Sequence, residues 1–152
     1  INDPDYLAVE LLARLLSARL KRATLDGVTV QHPVRILPAP FYFSTTVPAE
    51  RAQALSRQLT DLFAALATQA ITAEELAAAK AALTTEFAAR PIGHVLRDIE
   101  TYNLPKDYPL KLNVMIEKLT AATLQSTAKR LLEANALTVV AAGRVNDLKS
   151  EF

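Results

Sequence analysis

The chain has 152 residues, 51% of them apolar and 22% charged, with a formal net charge of +1. That length and balance suit one folded domain rather than a disordered chain, and the near-neutral charge gives no reason to expect nucleic acid or an anionic membrane surface as a partner. Without a single Cys, disulfides and thiolate metal sites are excluded.

The first residues, Ile1-Asn-Asp-Pro4, contain no Met and no leader-like pattern, and no apolar run is long enough to span a bilayer. The chain therefore reads as a piece of a longer polypeptide. Asp3 is the expected N-cap of the first helix, with Pro4 at N1, where a missing N–H does no harm. Leu7, Leu11, Leu12, Leu15, Leu16 and Leu20 then recur at helical spacing to about Ala23. Arg14, Arg19, Lys21 and Arg22 gather toward its end. The spacing predicts a solvated face with cations near the negative pole of the helix dipole, or else a contact for a carboxylate-bearing partner.

Asp26-Gly27 signals a turn, and Gly27 to Val34 carries the β-branched residues of a strand. Pro33, Pro38 and Pro40 place that strand at or near an edge, or make it irregular. Phe41 to Val47 alternates, with Phe41, Phe43, Thr45 and Val47 on one face, as a sheet under helices requires. Pro48 opens a helix whose predicted stripe is Leu55, Leu59, Leu62, Phe63 and Leu66.

The most fully specified element runs from Ile71 to Pro91. Thr72 and Glu75 form a capping box, Ile71 and Leu76 a hydrophobic staple, and Ala fills the body. Leu76, Ala79, Leu83 and Phe87 share a face that wants a core, and Pro91 ends the helix. Its link to the preceding helix is short enough to demand an antiparallel pair or a sharp bend.

Ile92, Val95, Leu96, Ile99 and Tyr102 predict a further buried stripe. Asn103 to Asp107 is a loop. A helix from Pro109 to Leu119 should turn Leu112, Met115, Ile116 and Leu119 inward. Thr120 caps the next helix, with Leu119 and Leu124 as its staple and Ala128, Leu131 and Leu132 buried. Leu137 to Gly143 reads as a strand buried on both faces, and Val145 to Phe152 as a final turn or tail. The expected fold class is α+β, an antiparallel sheet packed against several helices, with residues 1–152 as one domain and a further strand expected ahead of Asp3.

Chemistry-bearing patterns are few. His32 and His94 are the two His residues, and neither His-Glu-x-x-His nor its inverse occurs. His94 and Asp98, four apart on one helix, could share a metal, but a catalytic zinc usually takes three protein ligands. There is no Cys nucleophile, no Gly-x-Ser-x-Gly elbow and no Gly-rich phosphate loop. Glu74, Glu75 and Glu86 lie on the capped helix, where a cap and solvent account for them. The residues by themselves describe a non-catalytic α+β domain.

Several stretches, in order, resemble the C-terminal half-domain of the M16 zinc metallopeptidases, the pitrilysin and mitochondrial-processing-peptidase family. They are Asp3-Pro-Asp-Tyr-Leu-Ala-Val-Glu-Leu-Leu12, Ser17-Ala-Arg-Leu20, Ile71-Thr-Ala-Glu-Glu-Leu-Ala-Ala-Ala-Lys80, Leu104-Pro-Lys-Asp-Tyr108, Leu119-Thr-Ala-Ala-Thr-Leu-Gln125 with Ala128, and Thr138-Val-Val-Ala-Ala-Gly143. The resemblance implies one of two similar halves that enclose a chamber. The other half would carry the zinc and the general base. This half would hold no metal, no catalytic residue and no cofactor. Its partners would be the zinc-bearing half, or a sister subunit, and a peptide added to a sheet edge. Many members supply an Arg and a Tyr that hold substrate near the zinc. Arg22 matches the Arg; seven residues on, Thr29 stands where the Tyr would be. The alternative that the resemblance carries is a degenerate scaffold or assembly subunit without peptidase activity.

Overall fold

The computed structural model describes residues 3–23, 27–31 and 42–131, together with 138, 140 and 142. Among these, the order is α1 (Tyr6–Arg22), β1 (Thr29–Gln31), β2 (Tyr42–Ser44), α2 (Ala49–Thr68), α3 (Ala73–Ala88), α4 (Ile92–Thr101), α5 (Tyr108–Lys118) and α6 (Ala121–Leu131). The fold is α+β, with helix predominating.

The helix starts follow the local chemistry. Asp3 caps a turn rather than the helix itself: its Oδ1 accepts from the Asp5 amide at 2.8 Å and its carbonyl from the Tyr6 amide at 3.0 Å. This turn delays α1 to Tyr6. At α3 the capping box closes in both directions, the Glu75 amide donating to Thr72 Oγ1 at 3.1 Å and the Thr72 amide to Glu75 Oε2 at 3.2 Å. The Thr123 amide donates to Thr120 Oγ1 at the start of α6. α4 ends in a Schellman motif. Asn103 takes the left-handed conformation (φ 50°), its amide donates to the Glu100 carbonyl, and the Leu104 amide donates to the Ile99 carbonyl at 2.9 Å. Asn tolerates that conformation better than most side chains, which makes it a fit C′ residue.

Two apolar clusters hold the elements together, and α1 runs through both. The larger joins Leu7, Leu11, Leu12 and Leu15 to Ala79 and Leu83 of α3, Leu112 and Ile116 of α5, and Leu124 and Ala128 of α6. The smaller sets Leu16 and Leu20 against Val28, Val30 and Phe43 of the ribbon and Leu59 and Leu62 of α2. Nine residues of α1 are buried against three of α3. The central element is thus α1; α3, better specified locally, packs on it. A capping box fixes where a helix begins, but the width of the apolar face fixes how many neighbours it can hold.

β1 and β2 pair antiparallel, with Thr29 opposite Ser44, Val30 opposite Phe43 and Gln31 opposite Tyr42. Val30 and Phe43 face the core, as the alternation predicts, and the Tyr42 hydroxyl bonds Gln31 Oε1 on the exposed face. Both strands are shorter than predicted, and residues 32–41, including His32 and the three prolines, lie outside the described residues. α2 packs on α6 while α3 packs on α1 and α5, so the two helices joined by the short link meet different neighbours.

Four expectations of burial are corrected. Ile92 and Leu96 of the α4 stripe are 71% and 55% exposed, while Val95 and Ile99 are half-buried. Met115 and Leu131 are exposed, because α5 and α6 each bury a narrower face than their apolar residues allow. Thr138, Val140 and Ala142 are all exposed, so the face that they share in the predicted last strand is uncovered. The stripe of α2 is only half-buried at Leu55, Leu59 and Leu62, of which Leu59 and Leu62 pack against Leu16 and Leu20 of α1. The side chains of Phe63 and Leu66, like Leu132 and residues 143–152, fall outside the described residues.

Candidate functional site

Arg22 is the last residue of α1, and the fold carries it to the first turn of α3. There Glu75 meets two guanidinium groups. Arg19 Nε donates to Oε1 at 3.1 Å and Arg19 Nη2 to Oε2 at 2.9 Å, while Arg22 Nη1 donates to Oε1 at 3.0 Å. With the Thr72 amide, the carboxylate accepts four donors, two on each oxygen. Placement at N3 explains its reach: a Glu there bends back over the helix start, and the end of α1 crosses at that level. The Arg19 side chain is 11% exposed, that of Glu75 7% and that of Arg22 62%. Arg19 therefore seals the seam, while Arg22 keeps an open edge to solvent. Nη1 of Arg19 is buried without a hydrogen-bond partner among the described residues.

The electrostatics follow from those bonds. The Arg19 guanidinium, then the Thr72 amide and the Arg22 charge, outweigh burial and pull the Glu75 carboxyl from its ordinary 4.5 to about 2. Two cations against one carboxylate leave the cluster with a charge of +1.

A second polar cleft, of about 420 Å³, opens between α1, α3 and α4. Arg14 bridges Glu10 at 2.8 Å on its own helix and Glu86 on α3. Arg90 and Arg97 both reach Asp98, the latter at 3.2 Å. These pairs balance one another within the cleft. Burial raises the hydroxyl pKa of Tyr6 there and that of Tyr108 nearby.

The basic run of α1 is therefore not one solvated face. Arg14 and Arg19 are mostly covered and paired with carboxylates of α3, whereas Lys21 and Arg22 are exposed. The carboxylate-bearing partner that the run anticipates lies within the chain. Glu10 with Arg14 is legible as an i,i+4 pair. The pairing of Arg19 and Arg22 with Glu75 carries no sequence signal beyond opposite charge. His94 and Asp98 do not converge: His94 is exposed, while Asp98 is buried with its carboxylate taken by two guanidinium groups. Among the described residues no three His, Asp or Glu side chains gather as a metal would need, and no helix is long and apolar enough to cross a membrane.

No family model matches the sequence, and no curated protein matches it. Among solved structures, the fold is similar to the crystal structure of a peptidase M16 inactive domain from Pseudomonas fluorescens. The TM-score is 0.73 at 22% sequence identity, over 88% of this chain and 35% of that one. This chain thus spans about a third of the length of that relative. The architecture implied by the ordered motifs is the one observed: this chain has the α+β fold of an M16 inactive domain.

Proposed function

We propose that this chain is the non-catalytic half of an M16-like zinc peptidase, forming one wall of a peptide chamber and docking on a zinc-bearing half. The observation that supports this reading is the fold likeness to a domain described as inactive. Zinc chemistry, water activation by a Lewis acid, would belong to the other half. The residues here do not fit that metal: the sequence holds neither zinc-helix motif, and its two His cannot be joined by a Cys. No step is assigned to zinc in this chain.

The contribution of this half would be binding. A peptide would pair with the β1–β2 ribbon through its backbone. Arg22, held at one nitrogen by Glu75, would offer its exposed edge to a peptide carbonyl or carboxylate. Thr29, in place of a Tyr, would leave Arg22 to do this without a neighbouring hydroxyphenyl group.

The test is metal analysis and peptide cleavage on this chain alone and on its complex with the zinc-bearing half. The expected result is no zinc and no turnover for the chain alone, turnover in the complex, and a raised KM for Arg22→Ala. Stoichiometric zinc with turnover in the isolated chain overturns the proposal. A tight complex with no turnover favours the scaffold role instead.

A further inference from the structure

Helix α4 is turned partly inside out. Its one buried residue is Asp98, while Ile92 and Leu96 stand in solvent. An amphipathic helix held by the hydrophobic effect does the opposite. Val95 and Ile99 give it some apolar contact along a groove shared with Phe87, Leu104 and Leu112. The seam between α1 and α3, by contrast, is closed by Leu11, Leu15 and Leu83, all fully buried.

Beside that apolar contact, charge reaches α4 from the end of α3. Arg90, just past the end of α3, bonds the Asp98 carboxylate, and its guanidinium lies 5.8 Å from the centre of the Phe87 ring. Arg97 adds a bond to the other oxygen of the same carboxylate at 3.2 Å. Tyr6, Glu10, Arg14 and Tyr102 line the same cleft.

We propose that the Arg90–Asp98 pair is a latch that holds α4 on the domain with its apolar edge outward, making α4 a separately releasable unit. Release would uncover the groove over Phe87, Leu104 and Leu112 while α1 and α3 stay packed. The physical reason is that α4 buries no apolar residue fully, so its half-buried Val95 and Ile99 hold it less firmly than the Leu seam holds α1 to α3. Local opening is governed by the buried contacts that each segment makes.

Hydrogen exchange followed by mass spectrometry on the full chain tests this. In Asp98→Asn, amides of α4 should exchange about 10- to 100-fold faster, the range for losing a hydrogen bond to a charged group. Central amides of α1 and α3 should keep their wild-type rates. Arg90→Gln, which alters the more exposed partner, should speed α4 by a similar factor. The double variant should be no faster than Asp98→Asn alone, since that change already removes the Arg90 bond. Unchanged α4 exchange in both single variants overturns the latch, as does equal loss of protection in α1, α3 and α4, or additive effects in the double variant.

Discussion

Replacing Glu75 with Gln isolates the charge of the α1–α3 seam. Gln keeps the length of the side chain and an oxygen for the Thr72 amide, so the capping box survives. What is lost is the anion between Arg19 and Arg22. The fall of the Glu75 pKa from 4.5 to about 2, at about 1.4 kcal/mol per pH unit, corresponds to about 3 kcal/mol of stability at neutral pH. A second route gives the same size. Removing one partner of a buried ion pair costs about 3–5 kcal/mol, because the other charge stays behind in a poor solvent. Arg19, 11% exposed, is that stranded charge, while Arg22, 62% exposed, adds little. The sign is fixed by the direction of the shift. A carboxylate with a depressed pKa stabilises fully above its unfolded value and ceases to do so as pH falls through the folded one. The gap between wild type and Glu75→Gln should therefore be about 3 kcal/mol at pH 7, under half of that by about pH 3, and gone below about pH 2. Urea denaturation across that range measures it. A gap below about 1 kcal/mol at pH 7, or one that does not narrow with acid, refutes the reasoning.

Other substitutions separate packing from capping and from surface. Leu83→Ala removes a fully buried side chain between α1 and α3 and should cost about 3 kcal/mol or more in urea denaturation. Thr72→Ala removes the hydroxyl half of the capping box and should cost about 1 kcal/mol, with early exchange of the first α3 amides as its local signature. Leu96→Gln should change stability by no more than about 0.5 kcal/mol, because Leu96 is 55% exposed; a loss like that of Leu83→Ala would mean that α4 buries this edge.

Local chemistry made much of this chain legible. Every helix of the structure was visible as an apolar period, and the two best-marked starts, Thr72 with Glu75 and Thr120, are capped as their hydroxyls require. The alternation around Phe43 gave the correct face. The same reading failed wherever a helix has more apolar residues than its neighbours can cover. Ile92, Leu96, Met115 and Leu131 all sit at core-like spacing, yet periodicity records only which residues could face inward together. It carries no information on how many neighbours arrive, which is why α1, and not the better-capped α3, is the central element.

The candidate site divides along the same line. Absence of a zinc-helix motif and of a Cys is a property of the sequence, and the ordered stretches from Asp3 to Gly143 pointed to the M16 architecture. The carboxylates that meet the basic run of α1 were a tertiary matter. Arg14, Arg19 and Arg22 look alike along the chain, but Glu86 and Glu75 lie more than fifty residues away and are brought near only when α3 docks on Leu11 and Leu15. A chain states its own turns, caps and apolar faces because those depend on residues a few positions apart. Which charges become partners, and which apolar face is left in water, depends on distances between helices, and the folded packing alone sets these.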